Sequence, residues 1–392
     1  MHKKVAVLLN NPIQHDYRVI KVITTLSQTA QVDLYYIDGN REQDQALFND
    51  RVKLFPVKHE MTKRVKLLKH TFFCYEFNFF ERIVKQQAVN YDIIWANDLP
   101  TLYPAYRLAK ALNAQLVYDS HEIYTETINQ FFPRNIQGVK GIIFSLFIAF
   151  MRAHGKKIEK RLVPFTSTFF TVNGSILDYF QQRYTIPNGK VLMNLPRKTD
   201  NPDGKIDYRE QFSWTDQDVI AIYQGRLNEG RGLHLLVQVM QHVEERFKLV
   251  IVGDGTLRSN LEHFVQENNL EARVKFLGMV PLSELPKYTK GSDFGVSLLE
   301  DFNLSKKMAS PNKLFEYIHS TIPIIASNSL ESKKVFDQFN IGILVENDLH
   351  KIVEAFRKMS LLDRQRFIKD CKAAQAYYNW ERQEEVISQV LA

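Results

Sequence analysis

The chain has 392 residues, 45% apolar and 24% charged, a globular composition too long for one compact domain and suited to two. Its two cysteines, Cys74 and Cys371, lie far apart, which excludes a disulfide framework and fits a reducing compartment. The net charge of +7 is uneven, with 25 Lys and Arg against 16 Asp and Glu through Pro196 and 26 against 28 beyond it, so the basic half is expected to meet an anionic partner.

The sequence predicts a first strand over residues 5–9; five apolar residues behind a basic start make a strand and not a signal peptide. A helix over 17–27, a strand over 32–37 and a long aromatic helix over 67–87 follow. Next come a strand at 93–96, a helix at 102–112, strands at 115–118 and 169–172, and a helix at 175–184. The longest apolar run, 141–151, is too short to cross a bilayer. Residues 194–218 are rich in Pro, Asp, Asn and Gly, the composition of a linker. The alternation then restarts, with strands at 219–224, 247–252, 274–277, 294–298, 322–326 and 342–345. Strands alternating with helices indicate parallel sheets covered on both faces. Two such units imply a cleft, with ligands at the carboxyl ends of the strands.

The stretch from Gln224 to Leu236, QGRLNEGRGLHLL, follows a buried strand and opens a helix. A helix start offers free N–H groups and the positive end of a dipole, and Arg226 and Arg231 add forked cations that fit phosphate oxygens. Lys313 lies on a second loop at a strand end, where Asn312 and the backbone N–H groups near Lys313 and Leu314 open another helix. Cations placed in this way would stabilise a departing diphosphate. Glu316, in KLFEYI, accepts vicinal hydroxyls well and equally suits a helix N-terminal charge. Gly253, Asp254 and Gly255 read as a tight strand-to-helix turn. Asn11, His15, Asp16 and Arg18 follow the first strand, where a first ligand loop belongs. Asp98 and His121 end two further strands, and Asp98 equally suits an N-cap. Asp216 and Asp218 read as a turn, and no Cys or His group has zinc spacing. Lys63, Arg64, Lys66 and Lys69 precede Phe72, Phe73, Tyr75, Phe77, Phe79 and Phe80. That stretch suits either an anionic membrane or a core-packed helix with a basic end. Nucleic-acid binding has no recognisable module.

Four segments in order resemble glycosyltransferase family 4, of the GT-B fold: GRLNEGRGLHLL, residues 249–299 around VGDGTLRSNL, SPNKLFEYIHSTIPIIAS at 310–327, and YDIIWANDLPTLYPAYRLAK through LVYDSHEIYTE at 91–126. With VLMNLP at 191–196 the resemblance covers most of the chain. The SPNKLFEY stretch looks like one sub-group. The resemblance implies that Glu316 holds the nucleotide ribose, that the turn at Gly253 to Gly255 lines the donor site, and that Met279 and Val280 lie beside the base. It implies His121 near the transferred sugar and Asp98 near the acceptor. It also implies retention of configuration. The family's Glu-x7-Glu motif departs here, because Met308 stands where its first glutamate is expected; Glu300 lies nearby but out of register.

The expected fold is α/β, two doubly wound Rossmann-like domains of GT-B type facing across a cleft. The acceptor domain is expected over 1–198, a linker over 199–216, the nucleotide-sugar domain over 217–374, and a terminal helix over 375–392 crossing back. The expected function is a retaining, metal-independent glycosyltransferase. It would use a nucleotide-diphosphate sugar, with UDP-sugar the expected donor, and a glycan or lipid-linked acceptor in bacterial cell-envelope polysaccharide synthesis. No cofactor, metal or nucleic-acid partner is expected. The location is cytoplasmic, with contact to an anionic membrane surface through the basic half. The alternatives are a non-catalytic nucleotide-sugar or glycan-binding subunit and a GT-B sugar-nucleotide epimerase.

Overall fold

The computed structural model describes residues 2–57, 79–128, 138–300 and 304–392. The chain divides into two compact units, Met1–Met193 with Gln383–Ala392, and Asn194–Arg382.

The first unit is built on a seven-stranded sheet in the order β3-β2-β1-β4-β5-β6-β7. Its strands are β1 (Lys4–Leu9), β2 (Gln31–Ile37), β3 (Val52–Val57), β4 (Ile93–Asn97), β5 (Gln115–Ser120), β6 (Thr168–Thr171) and β7 (Gly189–Val191), all parallel. The central strands are buried nearly end to end, as helices on both faces require of a parallel sheet. Trp95 of β4 stacks on Phe170 of β6 at 5.3 Å and fills the centre of the unit. Helix Tyr17–Leu26 starts where Asp16 accepts a 3.1 Å bond from Val19 N, an N-cap. The pairing of Asn97 with Asp119 across β4 and β5 brings Asp98 and His121 out at the same end of the sheet.

The predicted central strands are present; the two edge strands, β3 and β7, were not anticipated. β3 carries Pro56, which only an edge tolerates, and β7 has three residues, too few for a periodic signal. Of the predicted helix over 67–87, the described part is Phe79–Gln86; the basic residues Lys63 to Lys69 and the aromatics through Tyr75 and Phe77 lie outside the described residues. The apolar run 141–151 is the first half of helix Gly138–Leu162. No helix among the described residues is long and apolar enough to cross a membrane.

The second unit has a six-stranded parallel sheet in the order β10-β9-β8-β11-β12-β13. The strands are β8 (Val219–Gln224), β9 (Phe247–Val252), β10 (Val274–Gly278), β11 (Phe294–Ser297), β12 (Ile324–Ser327) and β13 (Gly342–Val345). Its core joins Tyr223, Ile251, Val296 and Ile325 to Leu236, Leu261 and Phe356 from the covering helices. Residues 199–216, expected as a linker, are part of this unit. The short helix Tyr208–Phe212 buries Tyr208, whose hydroxyl donates to Tyr288 O at 3.0 Å; a few buried aromatics outweigh the turn-rich composition around them. Asp218 closes a turn by accepting from Thr215 N at 2.6 Å and pairs with Lys248 at 3.3 Å.

The last ten residues pack with the first unit. Ile387 and Val390 are buried, Thr25 Oγ1 donates to Glu384 at 3.2 Å, Met193 N donates to Gln383 at 2.8 Å, and Lys190 Nζ donates to Gln389 at 2.6 Å.

Candidate functional site

In the second unit, β8 and β9 run in parallel register with Gln224 beside Val252. The chain therefore leaves both strands side by side, at Gly225 and Gly253. Gly253 has φ +140°, and a Cβ there would stand 1.9 Å from Gly225 O. The two loops touch backbone to backbone, which only glycine permits. Gly253 N donates to Gly278 O at 2.8 Å and Leu227 N to Asp254 O at 2.9 Å. A Cβ on Gly255 would meet Asn228 Oδ1 at 2.5 Å. The Asp254 carboxylate is taken up locally by Gly255 N at 2.7 Å and by Arg258 at 3.5 Å. Past β10, Met279 is exposed and Val280 half-buried.

The loop after β8 carries two of the cations, and a helix further along the chain carries the third. Arg226 is exposed, and its carbonyl accepts from the Tyr223 hydroxyl at 2.9 Å. Arg231 is half-buried, and the loop behind it is held by Glu300, whose Oε2 accepts from Gly230 N at 3.1 Å. Lys313, on helix Asn312–His319, is 5% exposed. Its Nζ lies 3.6 Å from the centre of the Tyr223 ring and has no hydrogen-bond acceptor among the described residues. Burial, and then the nearby Arg231 charge, push its amine well below the usual lysine range. Burial also raises the Tyr223 phenol to about 12, against the pull of Arg231. A buried ammonium without an acceptor is costly unless an anion completes it.

Asn312 is exposed at the first position of that helix. Leu314 is different from its expected role: its side chain is in the core, and its N–H already donates to Pro311 O at 3.0 Å. The helix start thus supplies fewer free donors than a motif reading suggests. One turn on, Glu316 is half-buried, and its Oε2 accepts a 2.5 Å bond from Gln224 Nε2. Gln224 Oε1 in turn accepts from Thr289 Oγ1 at 2.7 Å.

The first unit has its own cluster. His121 stands between two carboxylates, Nδ1 at 3.4 Å from Asp98 and Nε2 at 3.5 Å from Asp119. Asp98 Oδ1 also accepts from His121 N at 2.9 Å. Asp98 occupies the N-cap position of helix Leu99–Leu112 without capping it; its side chain is committed to His121 and its backbone is held at φ +58°, a conformation rare outside glycine. Burial raises the Asp98 carboxyl to about 6 even with the imidazole beside it. Burial alone would lower His121, but Asp98 and Asp119 outweigh it and hold the ring at about 9. Burial would likewise raise Asp119, but Arg18 and His121 hold it at about 2.

Arg18 lies in the helix predicted over 17–27, and its side chain turns inward to the sheet. It is the second residue of helix Tyr17–Leu26, 4% exposed, and its guanidinium grips Asp119 at 2.5 and 3.3 Å. A first-turn helical side chain that faces the sheet is drawn to the buried carboxylate there. Asn11 is exposed, His15 ends the short turn Ile13–His15, and Asp16 is the cap already described. Sequence reasoning passed over Asp119, Gln224, Thr289 and Tyr223. Asp119 was within reach, because a strand places residues two apart on one face, which puts it with His121. Among the described residues no group of three or more His, Cys, Asp or Glu is placed to hold a metal.

Residues 204–374 match the family described as glycosyl transferases group 1, and the two parallel sheets make the two-domain α/β fold of the GT-B class. By sequence the chain is similar to an uncharacterized glycosyltransferase of Methanocaldococcus jannaschii, 33% identical over 104 residues, 26% of this chain and 27% of that protein. It is also similar to the N-acetylgalactosamine-N,N'-diacetylbacillosaminyl-diphospho-undecaprenol 4-alpha-N-acetylgalactosaminyltransferase of Campylobacter jejuni, 27% identical over 142 residues, 36% of each chain. The chain thus spans about a third of the length of the curated relatives it matches. By fold it resembles the Anabaena protein Alr3699/HepE, solved in complex with UDP, with a TM-score of 0.73 at 15% identity over 99% of both chains.

Proposed function

We propose that this protein is a retaining glycosyltransferase. It takes a sugar from a nucleotide-diphosphate donor, a UDP-sugar in the first instance, and passes it to a glycan or lipid-linked acceptor of the bacterial cell envelope. The observation that carries the reading is Lys313: a buried amine with no hydrogen-bond acceptor among the described residues, over an aromatic ring and beside Arg231. A nucleoside diphosphate leaving group supplies the missing anion, and Arg226 and Arg231 share its charge. Three side-chain cations suffice for a diphosphate, so the chemistry needs no metal. Glu316 then accepts the ribose hydroxyls, with Met279 and Val280 toward the base. In the first unit Asp98 takes the acceptor proton, and His121, held charged between two carboxylates, donates to the transferred sugar. No carboxylate of the second unit is assigned as a covalent nucleophile; attack comes from the face the diphosphate leaves. The UDP complex of the Anabaena neighbour and the polyprenyl-diphosphate glycan in the name of the Campylobacter relative support the donor and acceptor classes.

Contact with an anionic membrane from the cytoplasmic side belongs to the same reading. Helix Gly138–Leu162 leaves Ile142, Ile143, Leu146 and Phe150 exposed, followed by exposed Lys157, Lys160 and Arg161. Apolar and basic residues in sequence on one helix suit a surface of acidic lipid. Sedimentation with phosphatidylglycerol vesicles, lost in Leu146→Asp, tests this part; equal recovery with and without vesicles defeats it.

The test of the main proposal is calorimetric titration with UDP, GDP, ADP and CMP, repeated on Arg226→Ala and Lys313→Met. Binding of one diphosphate, weakened at least roughly tenfold in either variant, is the expected result. Absence of binding by every nucleotide refutes the donor site. Product NMR then reads the anomeric configuration, and an inverted product refutes retention.

A further inference from the structure

Glu316 is not held by its own helix alone. Gln224, the last residue of β8, and Thr289, on helix Leu285–Lys290, are each 1% exposed and form a chain that ends on its carboxylate. Thr289 Oγ1 lies 2.7 Å from Gln224 Oε1, and Gln224 Nε2 lies 2.5 Å from Glu316 Oε2. We propose that Gln224 and Thr289 are positioning residues that orient Glu316 and thereby set a preference for ribonucleotide over deoxyribonucleotide donors. This rests on the reading of Glu316 as the ribose ligand.

The direction of the chain follows from donor and acceptor chemistry. An ionised carboxylate only accepts, so Gln224 must present its NH2 to Glu316. Its carbonyl then faces Thr289, which must donate its single hydroxyl proton there. The Thr289 hydroxyl also has Leu285 O within 3.0 Å, and the amide carbonyl is the nearer of the two. Were the amide reversed, a carbonyl would meet a carboxylate at 2.5 Å, which is repulsive. Thr289 thus selects the amide orientation, and the amide selects the carboxylate orientation. A glutamate has three rotatable side-chain bonds, and a vicinal diol binds well only when the carboxylate plane is aligned with both hydroxyls. Locking that plane in advance removes the entropy cost of alignment on binding. The three residues come from a strand end, a helix and a second helix of one unit, so their spacing is set by the packed core and not by a loop.

The experiment measures Kd for UDP and 2′-deoxy-UDP in the wild type and in Glu316→Gln, Gln224→Met, Thr289→Val and Thr289→Ser. Wild type is expected to prefer UDP by on the order of 10- to 100-fold, the range of a hydrogen bond to a charged group. Thr289→Val and Gln224→Met should bring that ratio close to one, whereas Thr289→Ser, which keeps the hydroxyl, should retain it. Thermal melts accompany each variant, and if Thr289→Val fails to fold, Gln224→Met carries the comparison. If Glu316→Gln loses the preference while Thr289→Val and Gln224→Met keep it, the positioning role is refuted and the ribose role stands. If Glu316→Gln also keeps the preference, or UDP does not bind, the ribose reading itself has failed.

Discussion

Lys313 holds its Nζ 3.6 Å from the centre of the Tyr223 ring, and nothing among the described residues accepts a hydrogen bond from it. Replacing it separates stability from activity. Lys313→Met removes a buried amine with no acceptor and nearly keeps the volume, so the unit should melt at the same temperature or higher, by about 1 kcal/mol. Transfer should fall roughly 100- to 1000-fold, as when one preorganised donor is lost from a reacting site. Scanning calorimetry and steady-state kinetics on the same preparation decide it; a lower melting temperature with normal turnover would make Lys313 a structural residue.

The depressed Lys313 pKa has a thermodynamic consequence. Burial and Arg231 favour the neutral amine in the free protein, while a bound diphosphate favours the ammonium. UDP binding should therefore take up a proton at pH values between the lowered and the ordinary lysine range. Titrations in two buffers of different ionisation enthalpy should give different apparent binding enthalpies, and Lys313→Met should abolish the difference. Identical enthalpies in the wild type would refute it.

Arg226 is exposed. Arg226→Ala should change stability by less than about 0.5 kcal/mol and reduce turnover roughly 100-fold or more. A melt and a progress curve suffice to check it.

His121 links the first unit to pH. Its ring is raised from 6.5 to about 9, so its contribution to stability is complete below pH 6.5 and lost as pH rises through 9. The Asp98 carboxyl is raised from 3.8 to about 6, so its contribution is complete below 3.8 and lost as pH passes 6. Asp119, lowered from 3.8 to about 2, acts in the opposite sense and is lost only in strong acid. Between pH 7 and 9.5 the wild type should lose stability on the order of 2 kcal/mol, and His121→Gln should not. NMR titration of the His121 ring should show its midpoint falling in Asp98→Asn. An unchanged midpoint would mean that Asp98 is not what holds the charge.

Gly225 and Gly253 are both at positive φ, but only one has a neighbour. A Cβ on Gly253 would collide with Gly225 O at 1.9 Å, whereas a Cβ on Gly225 meets nothing within 4 Å. Gly225→Ala should cost the backbone strain alone, about 1–2 kcal/mol, and Gly253→Ala at least about 3 kcal/mol with loss of nucleotide binding. Denaturant titration of the two variants tests the order.

The sheets were legible where physics leaves a strong mark. β1, β4, β8 and β9 are apolar on both faces because helices cover both, and such runs stand out in a sequence. β3 alternates around a proline and leaves no comparable mark. Arg231 stood out because it lies just past the end of β8, where a doubly wound sheet collects its ligand loops, whereas Lys313 is the second residue of helix Asn312–His319 and was marked by its surrounding stretch alone. Thr289 was not legible: one threonine in a short helix gives no sign that its hydroxyl meets Gln224, 65 residues away in sequence. Arg18 fell within a correctly expected helix, but its partner Asp119 is 101 residues distant in sequence and no local pattern points to it.

The segment Gln383–Ala392 buries Ile387 and Val390 in the first unit, yet the ribosome makes it after all of the second. Throughout synthesis the first unit lacks part of its own core. It can collapse early, but it cannot reach its final packing until the rest of the chain has emerged. The amino-terminal half, though translated first, is thus the last to finish folding.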